Sequence, residues 1–81
     1  MKLAQVIGSV HATIKDAALT GATLLVCQED GGTAFVAADT VGAGVGDTVL
    51  IATGSAARMP QATAGAPHDA AIVAIVDRVD T

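Results

Sequence analysis

The chain has 81 residues, enough for one small domain, and carries a formal charge of −4 at pH 7. It is 52% hydrophobic but only 1% aromatic, with Phe35 as its sole aromatic residue. Its four basic residues are scattered and have no aromatic platforms beside them, which argues against nucleic acid as a partner.

An aliphatic core this small needs additional stabilisation. Disulfides are excluded because Cys27 has no second cysteine to pair with, and we expect it to be a buried small hydrophobe. The histidines, His11 and His68, are isolated, so the sequence predicts no metal site and no cofactor. Oligomerisation remains as the expected source of stability.

No membrane segment is predicted, since the longest apolar run, Ala70 to Val76, is too short to span a bilayer. Polar residues interrupt the apolar ones soon after Lys2, which does not fit a signal peptide. A lone thiol without an export signal fits a reducing cytosol.

The first predicted element is a long strand from Leu3 to Lys15 with a period of two. One face carries the apolar residues, with the glycine among them as the place where the strand coils: Ala4, Val6, Gly8, Val10, Ala12 and Ile14. Residues 16–21 then form a connection.

A second strand from Thr23 to Gln28 and a third from Thr33 to Ala38 flank a predicted hairpin turn. That turn, Glu29 to Gly32, offers Asp-Gly and Gly-Gly pairs that tolerate positive φ.

The segment from Asp39 to Asp47 carries glycine at every second position, which suits neither a helix nor a strand interior. It predicts a tight turn with almost no side chain at its tip, where a ligand or the same turn of another subunit can approach. Asp39 and Asp47 are expected to accept hydrogen bonds from the turn backbone and not to act as a catalytic acid and base. A phosphate-binding loop is disfavoured because a strand follows where a helix is needed, and a plain surface turn remains open.

A fourth strand from Thr48 to Thr53 leads into one helical turn, Gly54 to Arg58, with Ser55 as its expected N-cap. The loop from Met59 to His68 is expected to be mobile, and Ala71 to Val79 is the last strand. Five strands and one short helical turn predict an all-β antiparallel barrel, a single domain over residues 1–81.

Three of these strands are apolar on both faces, whereas a small barrel buries only its inner face. The outer apolar residues therefore predict a surface for another subunit.

The motif from Ala37 to Asp47 resembles the signature of the EutN/CcmL family of microcompartment shell vertex proteins. Two further blocks, Gly54 to Arg58 and Pro67 to Asp77, agree in order and spacing, as does the opening Met1 to Val10. The resemblance thus runs nearly end to end. The hairpin is shorter than usual for the family, and many relatives continue beyond the position of Thr81.

The resemblance implies a five-stranded, OB-like barrel that forms a homopentamer at the five-fold corners of a shell in the bacterial cytoplasm. Hexamer-forming shell proteins would be its partners, and no enzymatic activity is implied. Gly42, Ala43 and Gly44 are then expected to frame a narrow opening at the five-fold axis. A small anion or water on backbone N–H groups is the expected occupant of that opening.

The remaining candidate residues are assigned to the subunit interface or to support of the motif: Asp39, Asp47, Ser55, Arg58 and Ile75. Arg58 is expected to make an ion pair or backbone contact across subunits, because no nucleophile–base pair accompanies it. The alternative function is an OB-like module that binds a small ligand or an oligonucleotide, and an enzyme is a more distant third.

Overall fold

The computed structural model describes residues 1–13, 15–19, 21–60 and 69–80. Five strands form a closed barrel in the order β1-β2-β3-β5-β4. Their bounds are β1 Lys2–Val10, β2 Leu24–Gln28, β3 Ala34–Asp39, β4 Thr48–Thr53 and β5 Ala70–Ile75. The predicted all-β barrel is confirmed. One junction differs from a purely antiparallel barrel, since β3 and β5 run parallel and pair at Ala38–Ala71 and Asp39–Ile72.

The core is built from small aliphatic side chains that alternate along the strands. Its buried members come from all five strands: Ala4, Val6, Leu25, Cys27, Ala37, Val49, Ile51, Ala70 and Ile72. Phe35 and Ala43 are partly buried and pack against this cluster. Burial of aliphatic surface is the main stabilising term for the fold, and the core stays thin because Phe35 is the only large aromatic side chain that packs against it.

The side chain of Lys2 connects the start of β1 to the β2–β3 hairpin. The ammonium nitrogen of Lys2 lies 4.2 Å from the centroid of the Phe35 ring and 3.7 Å from Oε2 of Glu29. The turn itself is closed by a hydrogen bond from the Gly32 N–H to the Glu29 carbonyl, at 2.9 Å, with Gly31 at a φ of +72°. The hairpin predicted at these residues is confirmed.

Strand β1 is shorter than predicted, and its register against β2 shifts along its length. It ends at Val10 instead of Lys15, and His11 is exposed. Its pairing with β2 shifts between Val6 and Gly8, so that Val6 pairs with Cys27 whereas Gly8 pairs with Val26, which marks a bulge in the strand. The predicted inner face is confirmed at Ala4 and Val6, and Gly8 and Val10 remain less exposed than Ile7 and Ser9, whereas Ala12 lies beyond the strand and is exposed.

Strand β5 ends at Ile75 and not at Val79, and residues 77–80 are exposed. One helical turn was predicted, at Gly54–Arg58, and it is present as a 3-10 turn. A second 3-10 turn, at Ala17–Leu19, was not predicted. The predicted N-cap, Ser55, is wrong. Thr53 occupies the cap position, in extended conformation and without a side-chain cap hydrogen bond, and Ser55 is exposed within the turn.

The loop predicted as mobile, Met59 to His68, lies mostly outside the described residues, because residues 61–68 are not among them. The side chain of Arg58 is also outside the described part. Within the ranges that are described, the chain contains no helix of the length and apolar character needed to cross a membrane.

Candidate functional site

The glycine-rich turn, residues 40–47, connects β3 to β4 and is the candidate site. Gly42 and Gly46 have φ values of +79° and +96°, a region that side-chain-bearing residues rarely adopt. Gly44 is different. Its φ is outside that region, and an added Cβ would meet only Oδ2 of Asp47, at 4.0 Å. Two of the three glycines are thus required by backbone conformation, whereas within one subunit there is room for a side chain at the third.

Two carboxylates hold the backbone of the turn. Oδ1 of Asp39 accepts a hydrogen bond from the Val41 N–H at 3.1 Å, and Oδ2 accepts one from the Ala43 N–H at 3.0 Å. Oδ2 of Asp47 accepts from the Gly44 N–H at 2.8 Å. Charge-assisted bonds of this kind are stronger than neutral ones. The carboxylates are engaged with the backbone of their own turn, as expected for turn residues and not for a catalytic acid and base.

The turn is also fastened to the barrel wall. The Val6 N–H donates to the Asp47 carbonyl at 3.0 Å, and the Gly46 N–H donates back to the Val6 carbonyl at 2.9 Å. On the other side, the Thr40 hydroxyl donates to the Ile72 carbonyl at 2.7 Å. Because Val6 directly precedes the bulge in β1, the turn is attached at the point where the register of that strand against β2 shifts.

The tip of the turn carries exposed apolar side chains, whereas a tip with almost no side chain was predicted. Val45 is 68% exposed and Val41 is 41% exposed, whereas Ala43 packs against the core. Sequence reasoning emphasised the glycines and missed these two valines, although exposed β-branched residues beside glycines were a visible signal. The expected anion on backbone N–H groups is poorly supported, since the N–H groups of Val41, Ala43, Gly44 and Gly46 already donate within the subunit.

A cleft of about 480 Å³ lies beside the turn, on the outer face of β1, and we call it the β1 cleft. Leu3 and Ile7 line it and are 43% and 47% exposed. The other lining residues belong to β1, to β4 and to the hairpin: Ala4, Gln5, Gln28, Glu29, Asp30, Gly31 and Thr48. Gln28 is held in place by a 2.8 Å hydrogen bond from Nε2 to the Gly32 carbonyl.

The other candidate residues lie apart from the turn. Ile75, at the end of β5, is 42% exposed and pairs with Val49. Cys27 is fully buried, as predicted, and its pKa is raised by burial and, to a smaller extent, by the negative charge of Asp39. Among the residues that the structure describes, no three His, Cys, Asp or Glu side chains are grouped closely enough to hold a metal ion.

Comparison with known proteins gives consistent matches over the whole chain. The family model described as "Ethanolamine utilisation protein EutN/carboxysome" matches residues 1–77. The carboxysome shell vertex protein CcmL of Thermosynechococcus vestitus is 49% identical, over 98% of this chain and 86% of the relative.

Solved structures agree with this family match. The structure of CcmL from Nostoc sp. PCC 7120 superposes with a TM-score of 0.89 at 44% identity, covering 98% of this chain and 92% of that chain. The pentameric microcompartment shell protein GrpN from Rhodospirillum rubrum superposes with a TM-score of 0.82 at 41% identity, covering 100% and 98%.

Proposed function

The chain belongs to the EutN/CcmL family, and from this premise we propose that it is a structural shell protein of a bacterial microcompartment. In this proposal five copies form a ring that closes a five-fold vertex of the shell, inside the bacterial cytoplasm. The observation that carries it is the match, over the full chain, to a shell protein described as pentameric at 41% identity. The ring has no catalytic activity of its own, and hexameric shell proteins of the facets are its neighbours.

The surface of the barrel supports assembly on physical grounds. Four outward aliphatic side chains of the strands are between 42% and 47% exposed in the isolated subunit: Leu3, Ile7, Val36 and Ile75. Apolar area removed from water contributes about 25 cal/mol per Å², so a subunit contact that covers them is favourable. A closed ring joins two different patches of neighbouring subunits, which suits a barrel whose flanks differ in sequence.

We further propose that the glycine-rich turn lies at the five-fold axis, where Gly42, Ala43 and Gly44 frame the opening. The exposed backbone of Gly42 and Gly44 supports this placement, because five backbones without side chains can approach one another closely. The side chain of Ala43 packs against its own core, so the opening is framed at this residue by backbone.

The alternative, an OB-like module for oligonucleotides, lacks a stacking platform. Phe35 is the chain's only aromatic residue, and its ring packs against the core under the Lys2 ammonium group. Base stacking requires an exposed aromatic face, whereas this ring is partly buried and carries the Lys2 ammonium group over one face.

The ring size is tested by native mass spectrometry or multi-angle light scattering. Subunits of 7.9 kDa should give a species of about 40 kDa. A monomer or dimer at micromolar concentration would overturn the vertex proposal, and a hexamer would keep the fold but remove the five-fold role.

The axis is tested by Gly44→Leu, since an added Cβ at this position meets only Oδ2 of Asp47, at 4.0 Å, within one subunit, whereas a leucine would crowd five converging turns. We expect folded subunits that no longer form the ring. Ala12→Leu, at an exposed site beyond the end of β1, is the control and should leave the ring intact. A Gly44→Leu protein that still forms a normal ring would place the turn away from the axis.

A further inference from the structure

We propose that Val45 of each subunit occupies the β1 cleft of the next subunit. The turn of one subunit and the cleft of its neighbour then form the contact that repeats around the ring. This inference rests on the proposed ring and specifies which residues of this chain hold it together. It commits the cleft to a second copy of the chain as its occupant.

The cleft and the turn are continuous on the surface of one subunit. Thr48, which directly follows the turn, lines the cleft, and so does Ile7, which follows the residue bonded to Gly46 and Asp47. If the turns converge on an axis, the near end of each cleft therefore also lies close to that axis. The part of a neighbouring subunit closest to that end is its own turn.

The turn also suits the cleft electrostatically, because its tip is apolar and carries no charged side chain. The cleft has aliphatic residues at Leu3 and Ile7 and acidic residues at Glu29 and Asp30. The tip from Val41 to Gly46 contains no charged residue of its own, and the nearest carboxylate, that of Asp47, accepts a hydrogen bond from the Gly44 N–H at 2.8 Å. A like charge placed directly opposite another would oppose association.

Another exposed apolar side chain suits the cleft less well. Val79 is 57% exposed, but Arg78 and Asp80 flank it in sequence and form an exposed ion pair at 3.4 Å. Inserting Val79 into the cleft would bring the Asp80 carboxylate towards Glu29 and Asp30. Val45 is more exposed than Val79. It has glycine on both sides, so no neighbouring side chain obstructs the insertion of its own side chain into the cleft.

The first test compares Val45→Ser with the matched control Val79→Ser, each checked for folding by circular dichroism. We expect Val45→Ser to raise the subunit concentration at which half of the rings dissociate by about tenfold, and Val79→Ser to change it by less than about twofold. Dilution followed by native mass spectrometry measures both. If Val45→Ser leaves the ring unchanged, or if Val79→Ser weakens it more, the inference is wrong while the ring itself stands.

The second test shows contact between different chains. Chains carrying Val45→Cys are mixed with chains carrying Ile7→Cys, unfolded and refolded together, and oxidised. We expect a disulfide-linked dimer of the two chains on a non-reducing gel, and the native Cys27 is buried and should not contribute. Folded, mixed rings that give no such dimer would overturn the inference. A wild-type chain that is monomeric would instead overturn the proposed function on which it rests.

Discussion

Removing the Asp39 carboxylate should destabilise the protein more than removing that of Asp47, the other carboxylate that supports the glycine-rich turn. Asp39 accepts two backbone hydrogen bonds, from the Val41 N–H and the Ala43 N–H, whereas Asp47 accepts one, from the exposed Gly44 N–H. The bond to Ala43 is partly buried, so in Asp39→Ala water cannot fully replace the lost acceptor.

The expected magnitude follows from these environments. A hydrogen bond to a charged group contributes about 1.5–3 kcal/mol, and an exposed bond contributes less because water competes for it. We therefore expect Asp39→Ala to lower the free energy of unfolding by about 2–4 kcal/mol and Asp47→Ala by about 0.5–1.5 kcal/mol. Asp39→Asn, which keeps one good acceptor oxygen, should lie between them. Against a typical total of about 5–15 kcal/mol, the Asp39→Ala loss is large.

Urea unfolding followed by far-ultraviolet circular dichroism measures these differences, since the chain has no Trp or Tyr for fluorescence. Subunit association makes apparent stability depend on concentration, so all variants are compared at one concentration and then at a tenfold dilution. If Asp39→Ala is no more destabilising than Asp47→Ala, the assignment of Asp39 as the main support of the turn is wrong.

Three further predictions follow from the same geometry. Gly42→Ala, at a φ of +79°, should cost about 1–2 kcal/mol in urea unfolding, and Gly44→Ala, which has room for a Cβ, should cost less than about 0.5 kcal/mol. Equal costs at the two positions would contradict this reading of the turn. Ile51→Ala, at a fully buried site, should lower the free energy of unfolding by about 2–5 kcal/mol, clearly more than Ile75→Ala at a 42% exposed site. Because burial and the Asp39 charge raise the pKa of Cys27, its stabilising contribution should be complete below the usual thiol pKa of about 8.5 and fall as the pH rises above that value. Cys27→Ala should remove this alkaline loss of stability, and an unchanged pH profile in that variant would show that another group causes it.

The local elements of this fold could be predicted from the sequence because they depend on neighbouring residues. Alternation and turn residues placed the five strands, including β4 at its observed bounds, Thr48–Thr53. The Asp-Gly-Gly hairpin and the carboxylates at both ends of the glycine-rich turn were likewise predictable, since they form bonds within a few residues. The scarcity of aromatic side chains, with Phe35 alone, and the excess of aliphatic residues on both strand faces also pointed to an assembled subunit.

Other features depend on partners that are distant in sequence, and only the tertiary structure decides them. The bulge after Val6 arises where β1 stops pairing with β4 and the turn takes its place through Gly46 and Asp47, so alternation in β1 alone could not show the shift of register. The parallel pairing of β3 with β5 and the hydrogen bond from Thr40 to Ile72 likewise join residues about thirty positions apart. The composition of this chain determines that its barrel leaves apolar side chains exposed. The closure of the barrel determines that Leu3, Ile7 and Val45 are among them, because each strand can bury only the face that the final register turns inward.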